Sequence, residues 1–340
     1  MAEGRPRFFV EETSFHLGAT SPVELLEQRL QEFIALLEAC RAKGEPILRS
    51  SDLFEVELFP GLSLSDLLFQ RRVDVELDPL VKKTLQIALF RCVERGLPAG
   101  PEPDPQVRIG DGDVSKEGAA TVAFVHAQLR EAHGAACLCL GLRADRSGVR
   151  SVRDSGGAAR PVHFLASSAM LPTFYRSLVE LENLDADAFM SNAAHAFPAI
   201  AFAPGLSSHC SRFKPRYRDV RPEVTRHLAV LNDHFQDVYR EAEFVPVMTS
   251  RLLIVRHDVN ATRESDKTRH NAKAMRQRDV SVTHLIVAGQ EVPVAGGRTV
   301  RCEWHTKIED HQNRIHFHPG EAQVAGGRLV VGLFHEHLEI

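Results

Sequence analysis

The chain has 340 residues, enough for two domains or one large one, and its 44% hydrophobic and 25% charged residues are ordinary for a globular protein. The net charge of −4 excludes a uniformly basic nucleic-acid-binding protein, so any basic surface has to be local. The N-terminus lacks the apolar core of a signal peptide, and no stretch approaches about eighteen apolar residues. The six cysteines include no Cys-x-x-Cys pair and fit reduced, buried thiols. We therefore predict a cytoplasmic protein without a membrane span.

Residues 1–245 predict a mixed α/β body. Ser21-Pro22 is typical of a helix start, and apolar residues follow it at helical spacing. Residues 54–59 alternate between apolar and polar side chains, which predicts a half-buried strand. The loop at residues 97–112 holds four prolines and three glycines, which makes it the candidate for a boundary inside this body.

Two further patterns bear on the fold class. Residues 149–153 and 162–165 predict a β-hairpin that turns at Gly156-Gly157. Pro222–Glu243 has apolar residues at every third or fourth position, which predicts one long amphipathic helix. Together with the strands nearer the C-terminus, these elements predict an α+β protein, in which the mixed body is followed by a small antiparallel sheet.

A basic segment, residues 246–278, connects the body to that sheet. Between Arg251 and Arg278 it carries eight cationic side chains against three acidic ones. Such a strip fits a surface that contacts RNA phosphates or an acidic partner, and it equally fits a solvated helix face with internal ion pairs. The candidate nucleic-acid-binding residues are Arg256, Arg263, Lys267, Arg269, Lys273, Arg276 and Arg278.

Residues 279–340 are predicted to form the antiparallel sheet domain. Thr299–Ile308 and Asn313–His318 both alternate, which places apolar side chains on one face and polar side chains on the other. A symmetric turn between the two strands fixes the register, because a shift of one residue would exchange the two faces. The facing pairs in this register are His305 with His316, Lys307 with Arg314, and Glu303 with His318.

This register has an electrostatic consequence. Two cations, Lys307 and Arg314, face each other, which costs about 0.2–1 kcal/mol unless an anion neutralises them. The run Arg328–Phe334 predicts a third, buried strand, and it ends in His335-Glu336-His337. Two more imidazoles therefore reach the same edge of the sheet, and the cluster favours an anionic ligand.

A strand ending in Lys307, a short turn, an Arg314-Ile-x-Phe strand and a closing apolar strand that ends in histidine resemble the C-terminal sheet of RelE/ParE-type toxins. This resemblance covers residues 279–340, and the whole chain resembles uncharacterised bacterial proteins encoded with phage-defence genes. Toxins of this type cleave mRNA with Lys, Arg and His rather than with a metal ion. The resemblance implies a cofactor-independent RNA-acting protein, with Lys307, Arg314 and His335 or His337 at the matching positions.

The chemistry of such a ribonuclease suggests a role for each residue. Histidine suits acid and base work near neutral pH, and Lys and Arg stabilise the charge that develops on a phosphate. We assign His305 or His316 as the general base, and Lys307 and Arg314 as phosphate contacts. The general acid would be His335 or His337, and the basic segment would hold the RNA backbone.

Two alternatives remain open. His316, His318 and Glu321 resemble the His-x-His…Glu element of cupins, which would make the protein a metal enzyme with a divalent ion. The N-terminal 240 residues contain no phosphate-binding loop and no nucleophile elbow, so a non-catalytic module is the other alternative. Such a module would bind nucleic acid, or a protein partner in a defence complex.

Overall fold

The computed structural model describes residues 5–17, 23–70, 75, 77–94, 102–110, 116–117, 119–309 and 312–335. Residues 97–101 and 111–112 of the predicted loop, and His337, lie outside this set. The chain is an α+β protein, as predicted, and it forms two compact units, Met1–Phe174 and Tyr175–Ile340. Among the described residues, no helix has the length and apolarity needed to cross a membrane.

The first unit is built on a mixed sheet with helices between its strands. Its elements are β1 (Phe8–Val10), α1 (Val23–Arg41), β2 (Ile47–Arg49), β3 (Glu57–Phe59), β4 (Leu62–Ser63), α2 (Leu64–Phe69), α3 (Pro79–Phe90), β5 (Val93–Glu94), β6 (Arg108–Ile109), β7 (Lys116–Glu117), α4 (Ala120–Arg130), β8 (Ala136–Leu138), β9 (Gly148–Arg153) and β10 (Ala159–Leu165). Helix α5 (Leu171–Leu181) contains the division between the units.

The main sheet of this unit has the strand order β5-β2-β1-β8-β10-β9-β6-β7. The first five strands are parallel, and every residue of β1 and β8 is buried, as expected for strands covered on both faces. The predicted hairpin is confirmed, because β9 and β10 pair antiparallel. The predicted strand at residues 54–59 forms only in part, because residues Ser51–Glu55 wind into a 3₁₀ turn that Ser50 caps.

The second unit contains the C-terminal sheet. Its elements are α6 (Ala186–Ala196), β11 (Ile200–Phe202), α7 (Leu206–His209), α8 (Tyr217–Asp233), α9 (Phe235–Glu241), α10 (Pro246–His257), β12 (Ala261–Arg263), α11 (Asp266–Arg269), α12 (Ala272–Arg276), β13 (Asp279–Val287), β14 (Gln290–Arg301), β15 (Trp304–Lys307), β16 (Arg314–His318) and β17 (Leu329–His335).

The strand order of this second sheet is β12-β15-β16-β17-β11-β13-β14, and all neighbours are antiparallel except β11 and β17. Strand β11 lies inside the sheet, so residues from Tyr175 onwards belong with the C-terminal strands. This division differs from the boundary at residue 245 that the sequence suggested. The basic segment is also more than a connection, because its strand β12 is an edge of the sheet.

The long amphipathic helix is interrupted. His234 has φ −132° and ψ −24°, outside the helical range, and it separates α8 from α9. The predicted apolar face is kept across the break, since Leu228, Leu231 and Phe235 are all buried. Phe235 makes edge-to-face contacts with Trp304 and Phe317, so this face covers one side of the C-terminal hairpin.

Candidate functional site

The hairpin β15–β16 has the predicted register. His305 lies opposite His316, and Lys307 lies opposite Arg314. The third predicted pair is not part of the ladder, because β15 begins at Trp304, one residue after Glu303. The alternation of apolar and polar residues was therefore sufficient to align the two strands.

Burial of the apolar face explains why this register is the stable one. Trp304, Ile315 and Phe317 are each at most 1% exposed. The ring centroid of Phe235 lies 5.6 Å from that of Trp304 and 5.0 Å from that of Phe317. A shift of one residue would replace these aromatic contacts with histidine and lysine side chains.

The opposite face has an outer and an inner layer. Strand β17 places His335 opposite Arg314, so Lys307, Arg314 and His335 form one row across three adjacent strands. All three side chains of this cationic row are partly exposed. Neither Lys307 nor Arg314 forms an ion pair with a described residue, and Arg314 Nε is buried without a hydrogen-bond partner.

The inner layer is a buried cluster of Glu264, Arg278, His305 and His316. Glu264 follows β12 and Arg278 follows α12, and the Glu264 carboxylate lies close to ring nitrogens of both hairpin histidines. Arg278 is fully buried, and its Nε donates to Glu264 Oε1 at 2.6 Å. His305 Nδ1 lies 3.4 Å from the same carboxylate oxygen. We call these four residues the inner cluster.

The two histidines of the inner cluster differ in their partners. His305 is 4% exposed, and its Nε2 lies 3.4 Å from the hydroxyl of Thr262 on the neighbouring strand. His316 is fully buried, and neither of its ring nitrogens has a hydrogen-bond partner among the described residues. The two rings lie 5.3 Å apart, measured between centroids.

Burial and charge set the ionisation of the inner cluster. Burial alone would raise the pKa of Glu264, but His305 and Arg278 outweigh it and lower this pKa to about 2. Burial lowers the pKa of His305 against the opposing effect of Glu264, and it lowers the pKa of His316 well below the ordinary value. At neutral pH the cluster therefore contains a carboxylate, a guanidinium and two uncharged imidazoles.

The burial of His305 and His316 bears on their predicted role. An RNA chain cannot reach side chains that are 4% and 0% exposed, so neither histidine is placed to accept a proton directly from a bound 2′-hydroxyl. Of the candidate catalytic residues that the structure describes, only Lys307, Arg314 and His335 therefore reach the surface. The fourth candidate imidazole of the edge, His337, lies outside the described residues.

Many arginines of the basic segment are neutralised. Both terminal nitrogens of Arg256 contact Glu241 at 2.6 Å, and Arg263 donates to Glu303 at 2.7 Å. Arg269 contacts both Asp266 and Glu303, at 3.1 and 3.4 Å. With Arg278 buried against Glu264, the candidates that form no ion pair with a described residue are Lys267, Lys273 and Arg276, which are exposed.

The cupin-like ligand set is not assembled. His318 Nε2 lies 3.4 Å from Glu321 Oε1, but the group of metal-binding donors found in the described chain joins His316 to Glu264 and His305 instead. The donor atoms of that group all lie within 4.8 Å of one another. The pairing of β16 with β17 shifts register between His316 and Phe317, and the extra residue, Gly332, lies on β17.

The structure gives two residues of the inner cluster a role that the sequence did not indicate. The sequence predicts Arg278 as a nucleic-acid contact, and it marks Glu264 only as one of the three acids of the basic segment. The sequence contains one indication of the direction of Glu264. This acidic residue lies two positions after Thr262, so the two side chains share a face of an extended chain. Its partner could be found only once β12 was known to pair with β15.

Comparisons of the chain with protein-family models, with curated proteins and with solved structures find no match. The resemblance of residues 279–340 to RelE/ParE-type toxins therefore stays a prediction, and the site has to be interpreted from its own geometry.

Proposed function

We propose that the second unit binds RNA at the cationic row and cleaves it without a metal ion, as a toxin-like endoribonuclease. The observation that carries this proposal is the row itself, in which Lys307, Arg314 and His335 lie side by side on three strands. Adjacent like charges are destabilising unless an anion lies between them. A phosphodiester supplies that anion, and it accepts several charge-assisted hydrogen bonds at once.

RNA is the substrate class that best suits this set of side chains. Its 2′-oxygen can attack the adjacent phosphorus while the bond to the 5′-oxygen breaks, which gives a 2′,3′-cyclic phosphate and a 5′-hydroxyl. Lys307 and Arg314 would neutralise the charge on the non-bridging oxygens. His335 would protonate the departing 5′-oxygen, and the 2′-hydroxyl proton would pass to water. No metal ion takes part in these steps.

The test is cleavage of a generic single-stranded RNA in EDTA, with DNA of the same sequence as the substrate control. We expect wild type to leave 2′,3′-cyclic ends on RNA and to spare DNA. His335→Ala should slow cleavage by about 10²–10⁴-fold, the usual contribution of a general acid. Lys307→Ala and Arg314→Ala should weaken binding and reduce its dependence on salt.

Arg240→Ala is the matched control, because Arg240 is an exposed arginine whose ion pair is with Asp237, outside the row. It should leave cleavage unchanged. Cleavage that survives Lys307→Ala and Arg314→Ala, or that disappears equally in Arg240→Ala, would contradict the proposal.

A second function, RNA binding without cleavage, is favoured by the three exposed cations Lys267, Lys273 and Arg276. If RNA is retained intact and the triple alanine variant releases it, the chain is a binding subunit rather than a nuclease. In either case we propose action in the cytoplasm as part of a bacterial phage-defence system, with a protein partner in a defence complex as a further possibility. Reduced phage yield in cells that express wild type but not Arg314→Ala would support that role.

A further inference from the structure

The inner cluster has features that the proposed cleavage does not use. It brings one carboxylate and two imidazoles together beneath the cationic row, with all three side chains buried. We propose that Glu264, His305 and His316 bind a divalent transition-metal ion, with Zn²⁺ as the best fit, and that the ion has a structural role. This inference does not depend on RNA cleavage, and its ligands differ from the cupin-like set.

The distances allow coordination after a small movement. The donor atoms of the three residues all lie within 4.8 Å of one another. Around a tetrahedral Zn²⁺, with bonds of about 2.0–2.2 Å to nitrogen and oxygen, donor atoms are about 3.3–3.6 Å apart. Bonding to one ion would therefore need the widest separation to shrink by at most about 1.2–1.5 Å.

His316 gives an independent reason to expect a ligand. It is completely buried, and both of its ring nitrogens have no hydrogen-bond partner among the described residues. Buried polar groups are nearly always paired, so a ring in this state needs an explanation. One nitrogen of a neutral imidazole bound to a metal ion would be satisfied by that bond, beside the carboxylate of Glu264.

The surroundings of the other two ligands fit the support that metal ligands usually have. Arg278 Nε donates to one oxygen of Glu264 at 2.6 Å, which fixes the carboxylate and leaves the second oxygen for an ion. The hydroxyl of Thr262 lies 3.4 Å from His305 Nε2, while His305 Nδ1 is directed to the carboxylate. Contacts of this kind orient ligands and select the histidine tautomer.

The ligand types select the class of metal. Two imidazoles and one carboxylate suit Zn²⁺ and other first-row transition metals, whereas Mg²⁺ and Ca²⁺ prefer sites made only of oxygen. The ion would join the end of β12 to strands β15 and β16. It would thereby hold together the strands that carry Lys307 and Arg314.

Two cationic side chains near the proposed site oppose the binding of a dication. Arg278 donates to the proposed ligand Glu264 at 2.6 Å, and Arg314 lies two residues before His316 on the same face of β16, so both charges lie near the proposed ion. Because like charges repel, removal of the Arg314 charge should tighten binding of a dication. Arg314→Gln is therefore expected to raise Zn²⁺ affinity by about tenfold or more, whereas a site elsewhere in the chain would not respond.

The experiment uses the full chain, refolded from urea with Zn²⁺ or Co²⁺ because the site is buried, and then dialysed against metal-free buffer. We expect one bound ion per chain by mass spectrometry, and a Co²⁺ absorption spectrum that indicates low-coordinate nitrogen and oxygen ligation. Glu264→Gln, which keeps the acceptor for Arg278, and His316→Gln should each weaken Zn²⁺ binding at least 100-fold. His318→Gln is the matched control and should bind as wild type does.

Wild type that retains no ion after refolding with metal would overturn the proposal, even if a variant fails to fold. So would an ion that survives His316→Gln, or one that His318→Gln releases. RNA cleavage is scored both in EDTA and on the metal-loaded chain without chelator. A chain that binds the ion but cleaves in neither condition contradicts only the nuclease, and a chain that cleaves but never retains the ion contradicts only the metal site.

Discussion

Among the residues that the structure describes, each unit buries one glutamate–arginine pair, and the two pairs behave differently. In the first unit Glu11 is fully buried and Arg146 is 2% exposed, and the closest approach between Arg146 Nε and Glu11 Oε2 is 3.6 Å. In the second unit Arg278 Nε and Glu264 Oε1 are 2.6 Å apart. Burial raises the pKa of Glu11, although Thr13 and Arg146 oppose it, whereas the pKa of Glu264 is lowered to about 2.

The neighbours of each pair account for the difference. The hydroxyl and backbone N–H of Thr13 both donate to the Glu11 carboxylate, and Arg146 also contacts that hydroxyl. The described partners of this first pair are Thr13, which is neutral, and Asp145, which contacts Arg146 at 3.4 Å, and they include no imidazole. The second pair has two histidines beside it, and one of them lacks a hydrogen-bond partner among the described residues. A buried ion pair alone is therefore not a sign of a site, and the surplus imidazoles are what distinguish Glu264–Arg278.

The largest expected effect is the loss of stability on replacing the buried arginine of each pair, and it should differ between the two arginines. Arg278→Met leaves a charged, buried Glu264, so we expect it to lower the free energy of unfolding by roughly 3–5 kcal/mol. Arg146→Met should cost only about 1–3 kcal/mol, because Glu11 keeps its bonds to Thr13 and is more easily protonated. Urea unfolding measures both losses. Trp304 is the only tryptophan, so its fluorescence reports the second unit, and far-UV circular dichroism reports the whole chain.

Equal losses in the two variants would show that the pairs are equivalent. In that case the histidines next to Glu264 contribute nothing to the distinction between the units.

The next effect is the pH dependence of the two glutamates, which should have opposite signs. Glu264 has a lowered pKa, so its contribution to stability is present above the ordinary value of 4.5 and is lost as the pH falls toward about 2. Glu11 has a raised pKa, so its contribution is present below 4.5 and is lost as the pH rises through the raised value. The free energy of unfolding of wild type, Glu264→Gln and Glu11→Gln, measured between pH 3 and 7, isolates the contribution of each glutamate.

The advantage of wild type over Glu264→Gln should shrink on acidification. The difference between wild type and Glu11→Gln should change in the opposite direction. Two slopes of the same sign would contradict the assigned ionisation states.

The smallest effect concerns glycines on or beside the two sheets. A Cβ at Gly332 of β17 would overlap Cys302 Sγ and lie 2.9 Å from Val280 Cγ2, so Gly332→Ala should cost about 1–3 kcal/mol. At Gly141 in the first unit the nearest atom would be Ala166 Cβ at 3.1 Å, and we expect a loss below about 1 kcal/mol. Thermal unfolding compares them, and Cys302→Ala should recover part of the loss at Gly332. If Cys302→Ala recovers none of the stability lost in Gly332→Ala, the strain does not come from the contact with Cys302.

The hairpin register was predictable because two alternating runs and a short turn leave one way to bury Trp304 and Phe317 together. The burial of His305 and His316 was not predictable in the same way. Periodicity tells which side chains share a face, but it does not tell what covers that face. Here the covering groups, Glu264 and Arg278, come from the basic segment, and only the pairing of β12 with β15 brings them to the histidines.

Local patterns are also unable to locate the division between the two units, which falls after Phe174. Local sequence patterns identify single helices and strands, but the pairing of Ile200 with Leu329 depends on residues far apart in the sequence. The hairpin of β13 and β14 did have a local signal, since Ala288 and Gly289 form a turn with positive φ at both residues between two alternating runs.

The position of β17 between β16 and β11 has a consequence for folding. Strands that pair across a long stretch of chain close a large loop before they gain any contact, and such pairings fold slowly. The sheet of the second unit cannot be completed until residues 329–335 have left the ribosome, because these residues join its two halves. Since His335 is the last residue of β17, the cationic row is assembled only after this strand has been synthesised, and a nascent chain that lacks β17 carries the row in an unformed state.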